Sequence, residues 1–428
     1  MSFLGPKIIK IGGGLGQQAP SDRNVGSMVI ANGYAVATTF PLDTNHELNS
    51  VDDAVALGLS AATDANAVAA GCSALTYYHV SEYFRLNPDG KLYVHNGSAV
   101  ADADIFADDG PADQLMAMSQ NSLRFVGVVF GLDPDPGVAY VLTSGFAPPV
   151  LTVAAAAQTW AEKWRTANVY VDTVVVEGAW ANPAVNVDLK AIDCPQVVVT
   201  VACDFGYLEP LAEPGLLRTA AVGVELASIG VRMLSESKGS LTLERYPSER
   251  RGSENYSMVD IRKNRWMKVG LSTGETFTTV PQNRRTLYTT NAYSYAGRYE
   301  GYPGVYLNAD ATCTTSTDDY NTVHINRIWN EAARMVRRAL IPRINSRVFT
   351  APDGKIAPAT LADWDAAAKR QLDTLVAEGE IASYRFVLDP AQDVIAQGKV
   401  VTKLRIVPQG IAKEIEGEIG FTNPAQAA

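Results

Sequence analysis

Residues 398–421 read GKVVTKLRIVPQGIAKEIEGEIGF, and this stretch decides how the rest of the chain is interpreted. The segment PQG at residues 408–410 interrupts it and predicts a break between two β-strands. Because side chains alternate along a strand, the second strand has a mostly apolar face and an acidic face. The apolar face comprises Ile411, Lys413, Ile415, Gly417, Ile419 and Phe421. The acidic face comprises Ala412, Glu414, Glu416, Glu418 and Gly420.

A similar strand is predicted near the other end of the sequence, in residues 3–11, which include Ile8, Ile9 and Ile11. The backbone N–H and C=O groups of both strands have no partner until another strand pairs with them. Two interpretations stay open at this point. The strands pair within their own chain, as terminal strands often do, or they pair with other copies of the chain.

The composition is that of a globular protein with more than one domain. The chain has 428 residues, of which 47% are hydrophobic and 19% are charged, which argues against disorder. The net charge of -10 argues against nucleic-acid binding, because contact with phosphates needs a basic surface. The sequence predicts neither a signal peptide nor a membrane span. The widely spaced cysteines predict buried thiols rather than disulfides or zinc ligands. They are Cys72, Cys194, Cys203 and Cys313.

Residues 12–16 read GGGLG and follow the first predicted strand. Clustered glycines after a strand are typical of a dinucleotide-binding motif. In one register, however, Gln17 stands at the third glycine position, and in the other Pro20 interrupts the helix that should follow. The pattern therefore favours a flexible hinge formed by Gly12, Gly13, Gly14 and Gly16.

An alternation of strands and helices characterises residues 21–240. Strands are predicted at residues 27–30, 34–37, 91–95, 123–130, 169–176 and 196–203. Helices are predicted at residues 65–84, 111–119, 153–166 and 217–233, and Ser50 is predicted to cap a further helix. Continuous apolar strands between helices are typical of a mainly parallel sheet covered on both faces.

Residues 241–318 have a different character. Tyrosine, threonine, asparagine and glycine dominate, and helical periodicity is absent, so a β-rich region with many loops is predicted. Basic residues cluster at 250–251, 262–265 and 284–285. A solvated surface is favoured over a binding patch for these clusters.

Two helices are predicted in residues 319–428. The first opens at Asp319, follows an apolar stripe at helical spacing, and ends at Pro342. The second has Thr360 as its predicted cap and ends at Gly379. Strands at residues 381–388 and on either side of residues 408–410 complete this region.

Two patterns could mark an enzyme. His79, Glu82 and His95 lack a further ligand at metal-site spacing, which favours structural roles for them. Residues 270–274, GLSTG, match the nucleophile elbow, with Ser272 as nucleophile and His324 as a possible base.

Residues 275–280 read as a strand rather than the helix that an elbow requires, which favours a hairpin turn at GLSTG. No cofactor, metal or catalytic residue is expected. A hydrolase-like α/β enzyme remains one alternative. A receptor-binding or adhesin module, indicated by the six tryptophans, remains another.

The order of elements in residues 319–428 resembles the C-terminal domain of contractile tail sheath proteins, which belong to bacteriophages and related injection machines. The matching segments are residues 325–327, 334–344, 361–376, 379–384 and 400–408. The opening strand with its glycines is also similar. The α/β region resembles these proteins only in architecture, as a domain inserted between an N-terminal arm and the C-terminal domain.

This resemblance implies a structural subunit with an α/β (α+β overall) fold. It implies a linking arm at residues 1–20, an α/β domain at 21–240, a β-rich region at 241–318 and a sheath domain at 319–428. Sheath subunits stack in six-fold rings around an inner tube and contract to drive that tube through a membrane. Strands at both ends join the sheets of neighbouring subunits. The residues implied for this linking are Ile8, Ile9, Ile11, Ile411, Ile415, Ile419 and Phe421.

The resemblance also implies contact with the inner tube through charged residues of an inward-facing helix. The candidates are Asp363, Lys369, Arg370 and Asp373 on the second helix, or Arg334, Arg337 and Arg338 on the first. The implied partners are copies of the chain, the tube protein, and baseplate and tail terminator proteins. The implied location is a virion tail assembled in the bacterial cytoplasm, without stable membrane insertion.

Overall fold

The structure is a computed structural model that describes residues 23–417 and residue 420, except residues 37, 136, 138, 139, 143, 242–254, 353 and 393. The chain divides into two units, Met1–Arg337 and Arg338–Ala428. Several predicted residues lie outside the described ones. They are Ile8, Ile9, Ile11, Gly12, Gly13, Gly14, Gly16, Ile419 and Phe421.

Strands and helices alternate through most of the chain. The strands are β1 (Val25–Ile30), β2 (Thr44–Leu48), β3 (Lys91–Asn96), β4 (Phe125–Val129), β5 (Thr173–Glu177), β6 (Val197–Thr200), β7 (Ala202–Asp204), β8 (Val269–Leu271), β9 (Tyr293–Ser294), β10 (Ala296–Gly297), β11 (Tyr306–Leu307), β12 (Ile381–Leu388) and β13 (Thr402–Pro408). The helices are α1 (Val51–Ala56), α2 (Ala61–Ala69), α3 (Thr76–Leu86), α4 (Pro111–Met118), α5 (Pro149–Thr166), α6 (Phe205–Leu208), α7 (Val222–Gly230), α8 (Gln282–Thr290), α9 (Val323–Leu340), α10 (Pro358–Ala377) and α11 (Val394–Gln397). Short 3-10 turns occupy Leu189–Ile192, Glu209–Leu211, Pro214–Arg218 and Ile341–Arg343.

Unit 1 is built on a seven-stranded sheet with the order β2-β3-β1-β4-β5-β6-β9. All neighbours are parallel except β2, which pairs antiparallel with β3 at one edge. Successive valines of β5 point to opposite faces, so Val174 and Val176 join one core and Val175 joins the other. The predicted parallel sheet with both faces covered is confirmed.

The single helix predicted at residues 65–84 is two helices, α2 and α3. The chain turns between them at Leu75, whose φ of 43° lies in the left-handed region. Asp64 of α2 accepts the backbone N–H groups of Tyr77 (3.0 Å) and Tyr78 (2.9 Å) in the first turn of α3. This carboxylate caps α3 from a distance, so local periodicity does not reveal the break.

Other boundaries in unit 1 also differ from the predictions. Residues 34–36 form no strand, and β2 lies further along instead. The helix predicted at residues 217–233 begins only at Val222, because Pro214–Arg218 forms a 3-10 turn. The region 241–318 contains α8, which its sequence does not predict, because Tyr288 is the one buried residue of that helix. The predicted Ser50 cap is confirmed by its acceptance of the Asp53 N–H.

Unit 2 places α10 against an antiparallel hairpin of β12 and β13. The buried side chains include Leu372 and Leu375 of α10 and Phe386 and Leu388 of β12. The prediction of a strand at residues 381–388 is confirmed. An isolated two-stranded hairpin is marginally stable, so its packing on α10 is what holds it.

The ends of α10 have different origins. The helix begins at Pro358 rather than at the predicted Thr360 cap, and Pro358 stands at its first position, where the missing N–H needs no partner. Its C-terminal end follows the prediction, because Gly379 adopts a φ of 75°. The N–H of Gly379 bonds to the carbonyl of Val376 (3.1 Å), and the next N–H bonds to that of Leu375 (2.9 Å). This pair of hydrogen bonds is the Schellman motif, and it ends the helix.

Candidate assembly surfaces

The polar face of α9 is buried in unit 1. Arg334 donates to Asp172 through Nη1 (3.0 Å) and to Glu331 through Nε (2.8 Å). Asn330 also donates to Asp172 at 3.0 Å, and Arg327 donates to two backbone carbonyl groups that follow α7. Burial opposes ionisation of Arg334 and Glu331, yet their opposite charges outweigh it, so the pKa of Arg334 is raised and that of Glu331 is lowered. Arg334 is therefore enclosed within unit 1, which removes it as a candidate for contact with a tube.

A second buried network surrounds the start of α9. Asp310 accepts the backbone N–H of His324 at 2.9 Å, which caps the helix and explains why it begins later than the predicted Asp319. The imidazole Nδ1 of His324 lies 2.6 Å from the same carboxylate. Burial would raise the pKa of Asp310, but His324 outweighs it and lowers that pKa. The ammonium of Lys238 contacts Glu225 and Ser294 close by.

The exposed face of α10 carries a charged stripe that includes three of the predicted tube contacts. Asp363, Arg370 and Asp373 are exposed and lie seven and ten residues apart along the helix, which places them on one face. Asp363 pairs with Arg343 at 2.9 Å, and Asp373 accepts the hydroxyl of Tyr384 at 2.6 Å. Both carboxylates are therefore already engaged within unit 2.

The remaining candidates differ in whether their charged groups are already paired within the chain. Lys369 pairs with Asp365 one turn away at 2.6 Å. Arg337 and Arg370 are exposed and make no ion pair within the described part of the chain. Arg338 is exposed but has an interaction partner. Arg370 and Arg337 are thus the candidates whose guanidinium groups are available to another protein.

Residues 411–417 pair with no strand of the described chain. The sequence predicts a strand here, yet the described residues 411–417 form none, because no strand of the described chain pairs with them. Ile415 is 89% exposed, and residues 412–417 are exposed throughout. An apolar side chain in this position is energetically unfavourable in water and is stabilised by burial elsewhere. The β12–β13 hairpin likewise has two edges with no neighbouring strand among the described residues.

The candidate metal residues have structural roles. His79 is buried and accepts the backbone N–H of Gly223 at 3.2 Å, and burial lowers its pKa to about 3. Glu82 accepts hydrogen bonds from an arginine and a tryptophan side chain at distances between 2.5 and 3.2 Å. Nδ1 of His95 lies 2.8 Å from the side chain of Asn45. In the part of the chain that is described, no group of His, Cys, Asp and Glu is arranged to hold a metal ion.

Ser272 lies in the predicted hairpin turn rather than in a nucleophile elbow. Its hydroxyl is buried and donates to the carbonyl of Gly178 at 2.5 Å. Gly274 adopts a φ of 84° as the chain reverses, and no helix follows directly, since α8 begins only at Gln282. Residues 275–280 form a single bridge rather than the predicted strand. His324 contacts Asp310 instead of the serine.

The crevice in which open α/β sheets commonly bind ligands is filled by the chain itself. The strand order reverses beside β1, and there Asn32 donates to the carbonyl of Gly131 at 2.9 Å. Gly131 has a φ of 61°, and a Cβ on it would lie 2.0 Å from the Asn32 carbonyl oxygen. Glu177 at the end of β5 accepts the N–H groups of Phe130 (2.7 Å) and Ala220 (3.1 Å). Burial raises the pKa of this carboxyl to about 7.

The tryptophans do not form an exposed stacking platform. Trp160, Trp180 and Trp266 are buried, and the other three are half-buried. Trp329 packs edge-on against Tyr170, with ring centroids 5.8 Å apart. Packing therefore accounts for the three buried tryptophans and for Trp329. Among the described residues, no helix has the length and apolar character needed to cross a membrane.

Sequence reasoning missed the polar contacts of α9. The apolar stripe of this helix was recognisable, but Asn326, Arg327, Asn330, Glu331 and Arg334 form a second stripe beside it. Their spacing of three and four residues was a usable signal, because residues so spaced share one helix face. Their partners, such as Asp172, are distant in sequence, and no pattern identifies them.

Comparison with known proteins shows which fold this is. Residues 319–426 match a family model described as DUF2586, C-terminal domain. No curated protein sequence matches the chain. The chain is similar to one from the baseplate of the anti-feeding prophage, with a TM-score of 0.56 and 14% identity over 99% of this chain and 100% of that one.

It is also similar to a chain of the PVC sheath complex of an extracellular contractile injection system in the contracted state. The TM-score is 0.57 and the identity 13%, over 100% of this chain and 99% of that one. A chain of the anti-feeding prophage baseplate in the contracted state gives a TM-score of 0.51 and 12% identity over the full length of both. The protein therefore has the mixed α/β fold of contractile tail sheath proteins.

Proposed function

We propose that this chain is the structural subunit of a contractile tail sheath. The observation that carries the proposal is the likeness of its fold, over the whole chain, to a chain of a contractile injection system sheath complex. Residues 411–417 support it independently, because they are mostly exposed, carry the alternating pattern of a strand and pair with no strand of the described chain.

Copies of the chain link to one another by strand addition. Residues 411–421 of one subunit, and the strand that contains Ile8, Ile9 and Ile11, each pair with the sheet of a neighbour. Backbone hydrogen bonds of this kind are independent of side-chain identity and connect the six subunits of a ring with those of the next. Gly12, Gly13, Gly14 and Gly16 allow the arm to stay paired while the body rotates.

Contraction is a change in the packing of rigid bodies. The α9 helix is fixed in unit 1 by buried hydrogen bonds and ion pairs, as Arg334 and His324 illustrate, so it moves with that unit. The surfaces between subunits then repack to a state of lower free energy while the linking strands remain paired. This release of free energy drives an inner tube through a membrane.

The inner tube is held through charge on α10 or at the end of α9. Among the candidate residues, Arg370 and Arg337 are exposed cations that make no ion pair in the described part of the chain, and Asp363 and Asp373 border Arg370 on α10. We expect the variant R370E to reduce assembly on a tube template, with R262E on an exposed loop of unit 1 as the matched control. Unchanged templated assembly of R370E would exclude α10 from the tube contact.

The partners of the subunit are then other copies of itself, the tube protein, and baseplate and tail terminator proteins. It belongs to the tail of a phage or of a phage-derived injection machine and assembles in the bacterial cytoplasm. Its role is mechanical, and the Ser272 hydroxyl stabilises a turn through its hydrogen bond to the Gly178 carbonyl.

Negative-stain electron microscopy of the purified protein tests this function. The expected result is hollow tubes or stacked rings with six-fold symmetry, whose formation increases with protein concentration. Monodisperse monomers at all concentrations and in the presence of a tube template would refute the proposal. Sedimentation of the same samples gives the fraction assembled.

A further inference from the structure

A lysine side chain is enclosed in the core of unit 1, in the segment that follows α7. Lys238 is 2% exposed, although lysine is almost never fully buried without a partner. Its Nζ contacts the carboxylate of Glu225 in α7 and lies 2.9 Å from the Oγ of Ser294 in β9. Glu225 is fully buried, as is every residue of α7 from Val222 to Ile229. The amine and the carboxyl group therefore meet out of contact with solvent.

Burial changes which form of this pair is favourable. Two charges in the core carry a desolvation cost that their attraction offsets only in part. Transfer of one proton from the Nζ of Lys238 to the carboxylate of Glu225 removes both charges and gives an amine and a carboxylic acid. These neutral groups are the forms that condense to an amide. In water the same condensation is opposed by the hydration of the ions, which this core does not provide.

Ser294 contacts every atom that such a condensation would use. Its Oγ lies 2.9 Å from Nζ of Lys238 and 3.0 and 2.9 Å from the two carboxylate oxygens of Glu225. A hydroxyl accepts one hydrogen bond while it donates another, so it can pass a proton from the nitrogen to a carboxyl oxygen.

The neighbouring carboxylate of Asp310 is already engaged. It accepts the backbone N–H of Lys238 at 3.1 Å and the backbone N–H of His324 at 2.9 Å, and the His324 ring lies beside it. Glu225 is therefore the carboxyl group that faces the amine.

We propose that Nζ of Lys238 and the side-chain carboxyl group of Glu225 condense to an isopeptide bond within the subunit. The amine nitrogen attacks Cδ of Glu225, a C–N bond forms, and the bond from Cδ to one carboxyl oxygen breaks. The Ser294 hydroxyl relays a proton from the nitrogen to that oxygen, which leaves as water. The step needs no oxidant or further reactant, because the fold holds the two groups in contact and so replaces a high concentration of each.

The bond would close the segment 225–238 at the place where α9 is attached. Arg327 of α9 donates to the carbonyl groups of Arg232 and Met233 within that segment, at 3.0 and 2.9 Å. A covalent closure would stiffen this attachment against mechanical load. The inference concerns the chemistry of a single subunit and holds or fails independently of the sheath function.

Mass spectrometry of the denatured full-length protein tests the bond. The expected mass is lower than that of the sequence by one water molecule. In a tryptic digest the peptides 219–232 and 233–245 should appear joined, because trypsin does not cleave after an acylated lysine. The pair of Lys268 and Glu209 is the internal control, since its side chains also touch but are 48% and 41% exposed. Hydration should keep these two residues unlinked.

Two variants assign the roles. Lys238→Met lacks the nucleophile and should show the full mass of its own sequence. Ser294→Ala should slow the linkage about a hundredfold, followed by the linked fraction over time after cell-free synthesis. Wild-type protein of full mass would overturn the proposal, and so would a water loss with peptides 219–232 and 233–245 separate, because that loss lies elsewhere in the chain. Linkage of Ser294→Ala at the wild-type rate would overturn the proton relay.

Discussion

The ion pair that fixes α9 gives a sharp prediction. Arg334 makes hydrogen bonds of 3.0 and 3.4 Å to the two oxygens of Asp172, 2.8 Å to Glu331 and 2.9 Å to the carbonyl of Tyr170. The Asp172 side chain is 1% exposed, so the variant Arg334→Ala leaves a buried carboxylate without its cation. Asn330 remains as one donor to Asp172. We therefore expect a loss near the lower end of the range for a broken buried pair, about 3 kcal/mol of unfolding free energy.

Equilibrium unfolding in urea measures this loss. The matched control is Arg337→Ala, one turn further along α9, whose exposed side chain has no described partner and whose removal should change stability by less than about 0.5 kcal/mol. A double-mutant cycle with Asp172→Ala should show strong coupling, with the double variant less destabilised than the sum of the single ones. Equal effects of Arg334→Ala and Arg337→Ala, or strict additivity in the cycle, would refute the conclusion that the ion pair of Arg334 with Asp172 fixes α9.

Three further predictions concern single contacts. Burial raises the folded-state pKa of Glu177 from 4.5 to about 7, so the stability linked to its protonation is complete below the unfolded pKa and is lost as pH rises through 7. Glu177→Gln should remove this part of the pH dependence. If the curves of unfolding free energy for the wild type and the variant run parallel between pH 4 and 8, Glu177 is not its source. Gly379→Ala should lower stability by about 1 kcal/mol in urea unfolding because of the left-handed φ. The control Gly410→Ala should leave stability unchanged, because a Cβ there meets no atom within 4 Å. Equal effects of the two variants would contradict the role of Gly379 in ending α10. Ser272→Ala should lower stability by about 1 kcal/mol through loss of its bond to Gly178, with ester hydrolysis unaffected. A hydrolytic activity lost in that variant would revive the enzyme alternative.

Several elements were predictable because their signals are local. Strands β5 and β6 each contain three consecutive valines, a continuous apolar run that is typical of a strand buried on both faces, and both lie inside the sheet rather than at its edges. Gly379 ended α10 as expected, since few residues other than glycine adopt its φ. Ser50 capped α1 through the spacing to Asp53.

Two of the failures share a physical cause, which is capping of a helix by a carboxylate 13 or 14 residues away in the sequence. Asp64 divides one predicted helix into α2 and α3 by capping the second. Asp310 sets the start of α9 in the same way. These contacts exist only once the fold brings the partners together. The α8 helix was missed for a different reason: it lacks an apolar stripe, so its sequence does not predict it.

The candidate site was predictable in outline but not in detail. The charges of Arg334, Arg337 and Arg338 look equivalent in sequence, whereas Arg334 is 9% exposed in its side chain and bound to Asp172. The charges of Arg385 and Arg405 are far apart in sequence, and only the register of β12 and β13 makes them neighbours. Strand pairing thus decides which charges act together.

The most direct test of the account is electron microscopy of a chain that lacks residues 411–428, beside the full-length protein at equal concentration. Since residues 411–417 make no strand pairing within the described chain, their removal should leave thermal unfolding of the body unchanged. The account predicts tubes from the full-length protein and only folded, unassembled subunits from the shortened one. Normal tubes from the shortened chain would contradict the claim that this segment joins one copy to the next.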